Sequence, residues 1–152
     1  MLMSAADYRE SLRRLGPRVF VNGRQVDSVA DEPLLAPGVN GIGMTYDLAL
    51  REELAPLMRA TSAGHAGVNR MLAIPAGAPD LLNKLEAVRI ACQETGCAQR
   101  YLGGDALAAL KQATARTDAD CGTDYGQRFD AYLAHVYAND LALGVAMTDG
   151  KG

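Results

Sequence analysis

Three apolar repeats of helical period fill the second half of the chain, each bounded by residues that start or stop a helix. No other feature restricts the fold as much. Pro79 opens the first repeat, in which Leu81, Leu85, Val88 and Cys92 recur at four, three and four residues, and Gly96 can close it in the left-handed conformation. From about Gly104 to Cys121 a second helix places Leu107, Leu110, Thr114, Thr117 and Cys121 on one face, with Gly122 beyond its end. A third follows Thr123, a good N-cap, and lays down Tyr125, Phe129, Tyr132, Leu133 and Val136 before Asn139-Asp140. Short connections between such helices predict an antiparallel bundle. Composition agrees, since 26 Ala and 19 Leu stand against nine Val and three Ile.

Toward the N-terminus the signals are shorter. Ser4 with Asp7 makes a shortened capping box for a helix carrying Tyr8, Leu12 and Leu15, and Gly16-Pro17 stops it. Asn22-Gly23 between Arg18–Val21 and Arg24–Val29 predicts a small β-hairpin, because both turn residues need positive φ. Pro33 to Pro37 is expected to be a loop, Gly38 to Leu50 a glycine-weakened helix, and Arg51 to Ala60 a short helix with Pro56 in its first turn. Thr61 to Gly67 reads as a loop, and Val68 to Ile74 fits either a strand or an extended connection. Leu141 to Thr148 reads as a strand.

The 152 residues suit one domain, and 49% apolar with 22% charged residues excludes a disordered or low-complexity chain. A net charge of -3 with scattered Lys and Arg gives no basic stripe for nucleic acid. No apolar run is long enough to span a membrane and Met1 to Arg9 is no signal peptide, so a cytoplasmic location is expected. Cys92, Cys97 and Cys121 are odd in number and irregularly spaced, hence free thiols, read as small apolar residues buried on helices. His65 and His135 lie far from them and meet no zinc spacing; surface or structural roles are expected for both. Hydrolase, phosphate-loop and dinucleotide fingerprints are lacking. Asp118 and Asp120 read as solvated acids at a helix end.

Two segments hold concentrated polar chemistry: Cys97-Ala98-Gln99-Arg100-Tyr101-Leu102-Gly103-Gly104-Asp105 at a glycine-rich joint, and Ala146-Met147-Thr148-Asp149-Gly150 directly after the last strand-like run. Together with Tyr8-Arg9-Glu10-Ser11-Leu12, Val21-Asn22-Gly23, Thr45-Tyr46-Asp47-Leu48-Ala49, Asn69-Arg70, Gly122-Thr123-Asp124-Tyr125 and Asn139-Asp140-Leu141, they fall in a consistent order over nearly the whole chain. In that order the chain resembles a flavoprotein family. It is the family of the oxygenase component of 4-hydroxyphenylacetate 3-hydroxylase, the pyoverdin chromophore oxygenases and 4-hydroxybutyryl-CoA dehydratase with vinylacetyl-CoA isomerase activity.

The resemblance implies a mainly α, acyl-CoA dehydrogenase-like N-terminal helical domain with a small β-hairpin over residues 1–140. Residues 141–152 would begin the first strand of a central β-domain, and a C-terminal helical bundle would drive homotetramer formation. It further implies that Met147, Thr148, Asp149 and Gly150 contact FAD. The wording lies nearer the dehydratase branch, which holds a [4Fe-4S] cluster through a Cys-x-x-x-Cys pair in this region plus a histidine and a cysteine from the C-terminal part. Cys97 matches the first ligand, but Tyr101 stands at the second position, and a phenol of pKa about 10 is a hard oxygen donor that does not replace a thiolate. The leading expectation is therefore a cluster-free monooxygenase of the 4-hydroxyphenylacetate 3-hydroxylase type, using reduced FAD from a separate flavin reductase. The alternative is a dehydratase or isomerase acting on a CoA thioester; a third reading is a non-catalytic helical interaction module. Arg100 and Tyr101 are candidates to line the substrate pocket, a structural ion pair or hydrogen bond being the alternative for each. By itself the chain is expected to be inactive.

Overall fold

The computed structural model describes residues 1–97 and 100–145. Helix α1 (Ala5–Leu15) is capped as its sequence demands: Ser4 Oγ accepts from the Asp7 amide at 3.1 Å and the Asp7 carboxylate accepts from the Ser4 amide at 2.9 Å. Strands β1 (Phe20–Val21) and β2 (Arg24–Gln25) then pair antiparallel around Asn22 and Gly23, whose φ angles of 52° and 77° suit the hairpin turn. Helix α2 (Ala36–Leu50) begins inside the expected Pro33–Pro37 loop, because Pro37 in its first turn has no amide hydrogen to satisfy. Its Gly43 faces α1, where an added Cβ would sit 3.1 Å from the Ala5 Cβ.

A 3-10 turn (Glu52–Leu54) leads into α3 (Ala55–Met58), with Pro56 in the first turn as anticipated. The helix stops short of Ala60, since Arg59 enters β3 (Arg59–Ser62), which pairs antiparallel with β4 (His65–Asn69). This second hairpin replaces the loop expected over Thr61 to Gly67. Its turn is Ala63-Gly64, at φ 49° and 81°, where the chain offers no Asn-Gly pair to advertise it. Asn69 and Arg70 lock the hairpin to the helices. Asn69 donates to the Thr45 carbonyl at 3.2 Å and accepts from the Met71 amide at 3.1 Å; Arg70 donates to the carbonyls of Leu57 and of Arg59.

Helices α4 (Ala78–Thr95) and α6 (Tyr125–Ala138) occupy the segments their periodicity predicts, with Gly96 ending α4 at φ 74°, whereas α5 (Arg100–Cys121) starts before the expected Gly104, so that Arg100 to Asp105 of the glycine-rich joint are helical. Their packing differs from a three-helix bundle. α5 and α6 pack on each other, whereas α4 packs against α2 and α3. It does so through Ala87 and Ala91, while the buried Lys84 reaches Asp105 of α5, leaving Leu81 and Leu85 at 48% and 56% exposure. Small alanines permit closer helix approach than leucines, so the buried face is offset from the apolar one. Leu110, Tyr125 and Tyr132 are likewise exposed. The cap of α6 also differs: Asp118, not Thr123, accepts from the amides of Tyr125 and Gly126 at 2.8 and 2.7 Å. Cys92 is half-buried, but Cys97 and Cys121 are exposed, contrary to the expectation of buried thiols. His135 is on the surface, and the His65 ring meets the Tyr137 ring edge-on at 5.6 Å.

Two apolar clusters result. Val68, Leu72, Leu107, Phe129, Leu133 and Val136 form one beneath α5 and α6; Leu48, Ala49, Met58, Met71, Ala87 and Ala91 form the other beneath α4. Adjacent residues Met71 and Leu72 each enter a different cluster, so this turn joins the two halves. After α6, Leu141 to Val145 form no strand, and no strand among the described residues lies beside them to supply the ladder.

Candidate functional site

Arg100 stands at the first turn of α5, 1% exposed, and is the largest fully buried side chain. Its Nη2 donates to the Asp140 carboxylate at 2.5 Å, to the Asp140 carbonyl at 2.9 Å and to the Leu141 carbonyl at 3.3 Å. The guanidinium carbon lies 3.7 Å from the centroid of the Tyr46 ring, a cation–π distance, and Tyr8 stacks on Tyr46 with ring centroids 5.1 Å apart. Burial raises the pKa of both phenols above the ordinary tyrosine value, against the lowering influence of the Arg100 charge. The Tyr46 hydroxyl and the Arg100 Nε and Nη1 are buried without a hydrogen-bond partner among the described residues. Asp140, 3% exposed, also accepts from the Met3 amide at 3.0 Å.

This column backs a cleft of about 680 Å³ between α1, α2 and residues 139–145, lined by Tyr8, Ser11, Leu12, Ile42, Tyr46, Leu102 and Leu141 to Val145. Its walls are mostly apolar and aromatic, with the polar groups of Ser11, Arg14 and Asn139 at the margin, a composition suited to a largely apolar or planar ligand. A separate groove of about 380 Å³ on the other side of Tyr8 runs past Val29, Pro37 and Ile42 to Thr95 and Cys97.

The sequence-predicted residues are only partly brought together. Met147, Thr148, Asp149 and Gly150 lie outside the described residues, although Val145 on the cleft wall is two residues from Met147. Arg100 lies behind the cleft, paired with Asp140. Tyr101 lines neither cavity and packs, half-buried, against the Leu48, Met58 and Met71 cluster, while Cys97 is exposed at the rim of the second groove. Among the described residues no group of three or more His, Cys, Asp or Glu could hold a metal ion. Sequence reasoning missed Tyr8, Tyr46 and Asp140 as parts of a site. All three stand in the family-like segments, and that coincidence was the available signal.

A family model described as the N-terminal part of 4-hydroxyphenylacetate 3-hydroxylase matches residues 4–152. The chain belongs to this family. Among curated proteins, this family member is 38% identical over 155 residues to the 4-hydroxybutyryl-CoA dehydratase/vinylacetyl-CoA-Δ-isomerase of Clostridium aminobutyricum, covering 100% of this chain and 31% of the relative. Among solved structures it resembles an oxygen-tolerant archaeal 4-hydroxybutyryl-CoA dehydratase from N. maritimus, with a TM-score of 0.91 and 41% identity, over 100% of this chain and 30% of that one. The oxygenase component of 4-hydroxyphenylacetate 3-monooxygenase, solved with FAD and 4-hydroxyphenylacetate, gives a TM-score of 0.71 at 18% identity, over 92% of this chain and 29% of that one. The fold is thereby acyl-CoA dehydrogenase-like and mainly helical, with two small hairpins among the described residues where the sequence predicts one. The chain spans less than a third of the length of these relatives. No helix among the described residues is long and apolar enough to cross a membrane.

Proposed function

We propose that this chain is the N-terminal part of a flavin-dependent enzyme acting on a CoA thioester of a short hydroxylated or unsaturated acid. The observation that carries this is the 38% identity to a 4-hydroxybutyryl-CoA dehydratase/vinylacetyl-CoA-Δ-isomerase along the whole chain, against 18% to the phenol-oxygenating component. It reverses the order of the two readings given by the sequence alone. A reduced-flavin phenol monooxygenase fed by a separate reductase stays as the second reading, because Tyr101 stands where the dehydratase branch has a cluster cysteine.

A cluster does not fit the residues at hand. Cys97 is an exposed thiol, and the Tyr101 ring is packed among apolar side chains, with a hard phenolic oxygen in place of a second thiolate. No step is routed through a cluster. FAD suits the region better: Met147, Thr148, Asp149 and Gly150 would hold it, next to a cleft whose apolar and aromatic wall can receive a planar ring. Bound there, FAD would supply the redox chemistry. Around it Tyr8, Tyr46 and the 141–145 wall would exclude water, and Arg14, which also lines the cleft, would offer donors for a thioester arm. A homotetramer, as the family resemblance implies, belongs to the same proposal.

The test is to purify the intact protein without oxygen and measure FAD, iron and acid-labile sulfide, then assay vinylacetyl-CoA isomerisation beside 4-hydroxyphenylacetate hydroxylation with an added flavin reductase. Turnover of the CoA thioester with bound FAD and no stoichiometric iron supports the proposal. Four irons per chain would sink the cluster-free reading, phenol hydroxylation would promote the second one, and a protein with neither flavin nor turnover would point to an interaction module.

A further inference from the structure

In the cleft wall Leu141 to Val145, Leu141 and Leu143 pack on the cluster beneath α5 and α6, and the turn that leads into the wall meets Arg100. We propose that Arg100 is a positioning residue whose single guanidinium holds both walls of the cleft and thereby sets what the cleft admits. On one side Nη2 binds the carbonyls of Asp140 and Leu141 and the Asp140 carboxylate, at the point where the chain leaves α6. Asp140 has φ 46°, a left-handed conformation that L side chains seldom adopt, and the ion pair holds it there. On the other side the guanidinium carbon sits over the Tyr46 ring, 3.7 Å from its centroid, and Tyr46 lines the opposite wall from α2. Gly103, one turn along α5, completes the seat: an added Cβ would fall 2.9 Å from the Leu143 Cβ. A planar, delocalised cation can stack and donate at once, which a lysine ammonium cannot.

Taking this cleft as the flavin side of the enzyme rests on the function proposed above, and the test keeps the two apart. Arg100→Lys retains the charge but loses the stack. Asp140→Asn retains the left-handed preference and an acceptor for the Met3 amide but loses the ion pair. Met58→Ala, in the cluster beneath α4, against which no residue of 141–145 packs, serves as a variant destabilised away from the clamp. Hydrogen exchange of the intact protein is expected to rise about tenfold or more at amides 141–145 in the first two variants and to stay at the wild-type level there in the third. In the flavin-loaded protein the first two should weaken flavin binding or raise KM roughly 10- to 100-fold, as misplaced contacts do, with a smaller change in kcat. Unchanged exchange at 141–145 in Arg100→Lys would overturn the clamp, and so would an equal rise in Met58→Ala. Raised exchange with unaltered flavin affinity and KM would overturn its role in setting the cleft. A wild-type protein that binds no flavin would defeat the proposed function while exchange still decided the clamp.

Discussion

Arg70, Lys84 and Arg100 are the buried cations among the described residues, and the last two are held in opposite ways. Arg100 faces an anion as buried as itself, with two carbonyls and an aromatic ring completing its shell. The Lys84 Nζ donates to the Asp105 carboxylate at 2.9 Å and to the Ala73 carbonyl at 3.4 Å, but the Asp105 side chain is 57% exposed. Removing one member of a pair is costly when the other is left without water, and cheap when the other can be solvated. The first pair therefore fixes the backbone beside the cleft, whereas the second only rivets α4 to α5.

The contrast is broken most directly by Arg100→Met, which leaves the Asp140 carboxylate buried with only the Met3 amide. A loss of roughly 3–5 kcal/mol in chemical unfolding is expected. A loss below about 1 kcal/mol would mean that water reaches Asp140 and the two pairs are alike. Next in size is Gly104→Ala. A Cβ there would lie 2.2 Å from the Met71 carbonyl oxygen, which is backbone, and 2.7 Å from the Lys84 Nζ, so α5 must move away from the turn that joins the two cores. Overpacking of this kind costs about 1–3 kcal/mol. Gly103→Ala should cost less, since its Cβ would fall 2.9 Å from the Leu143 Cβ rather than 2.2 Å from a backbone oxygen; equal losses would show the Leu143 wall to be as rigid as the Met71 turn. Lys84→Met comes third. Asp105 turns to solvent and the methionine fills the space, so unfolding should shift by less than about 1 kcal/mol in either direction.

Where the sequence could be read, a residue's local preference and its tertiary environment agreed. Ser4 with Asp7, Asn22-Gly23, Pro79 and Gly96 each act on their own neighbours, and each did what its backbone chemistry dictates. Lys84 shows the opposite case. Counting apolar residues on α4 selects Leu81, Leu85, Val88 and Cys92, yet the buried face runs through Lys84, Ala87 and Ala91, because Gly104 and the alanines allow closer approach than leucines would. The hairpin over residues 59–69 was hidden for a related reason: Ala63-Gly64 carries no strong turn signal, and the hairpin is tied to its surroundings by Asn69 at the end of β4 and by Arg70 just beyond it. At the cleft, Arg100 stood out by residue type and position, but its partner Asp140 read only as a helix stop. Pairing across 40 residues is a property of the fold.

Carboxylates extend the comparison to the surface, where hydrogen-bond donors take the place of a buried cation. Asp118 accepts from Thr123 Oγ1 at 2.6 Å and from the amides of Gly126 and Tyr125, and these bonds, the Thr123 hydroxyl first, hold its pKa below the ordinary carboxylate value. A folded-state pKa below the unfolded value of about 3.9 means that the cap stabilises fully above that pH. The contribution is lost as pH falls through the lower folded value, when the carboxylate takes up a proton and stops accepting from the α6 amides. Thermal melts of wild type and Asp118→Asn from pH 6 to pH 3 should therefore converge toward the acid end, the variant already lacking the anionic cap at neutral pH. The effect is expected to be the smallest of the four, because water can replace the lost acceptor at this exposed helix end. Parallel melting profiles would show that the Asp118 charge is not what anchors α6, and would leave Asp140 as the carboxylate on which this end of the fold depends.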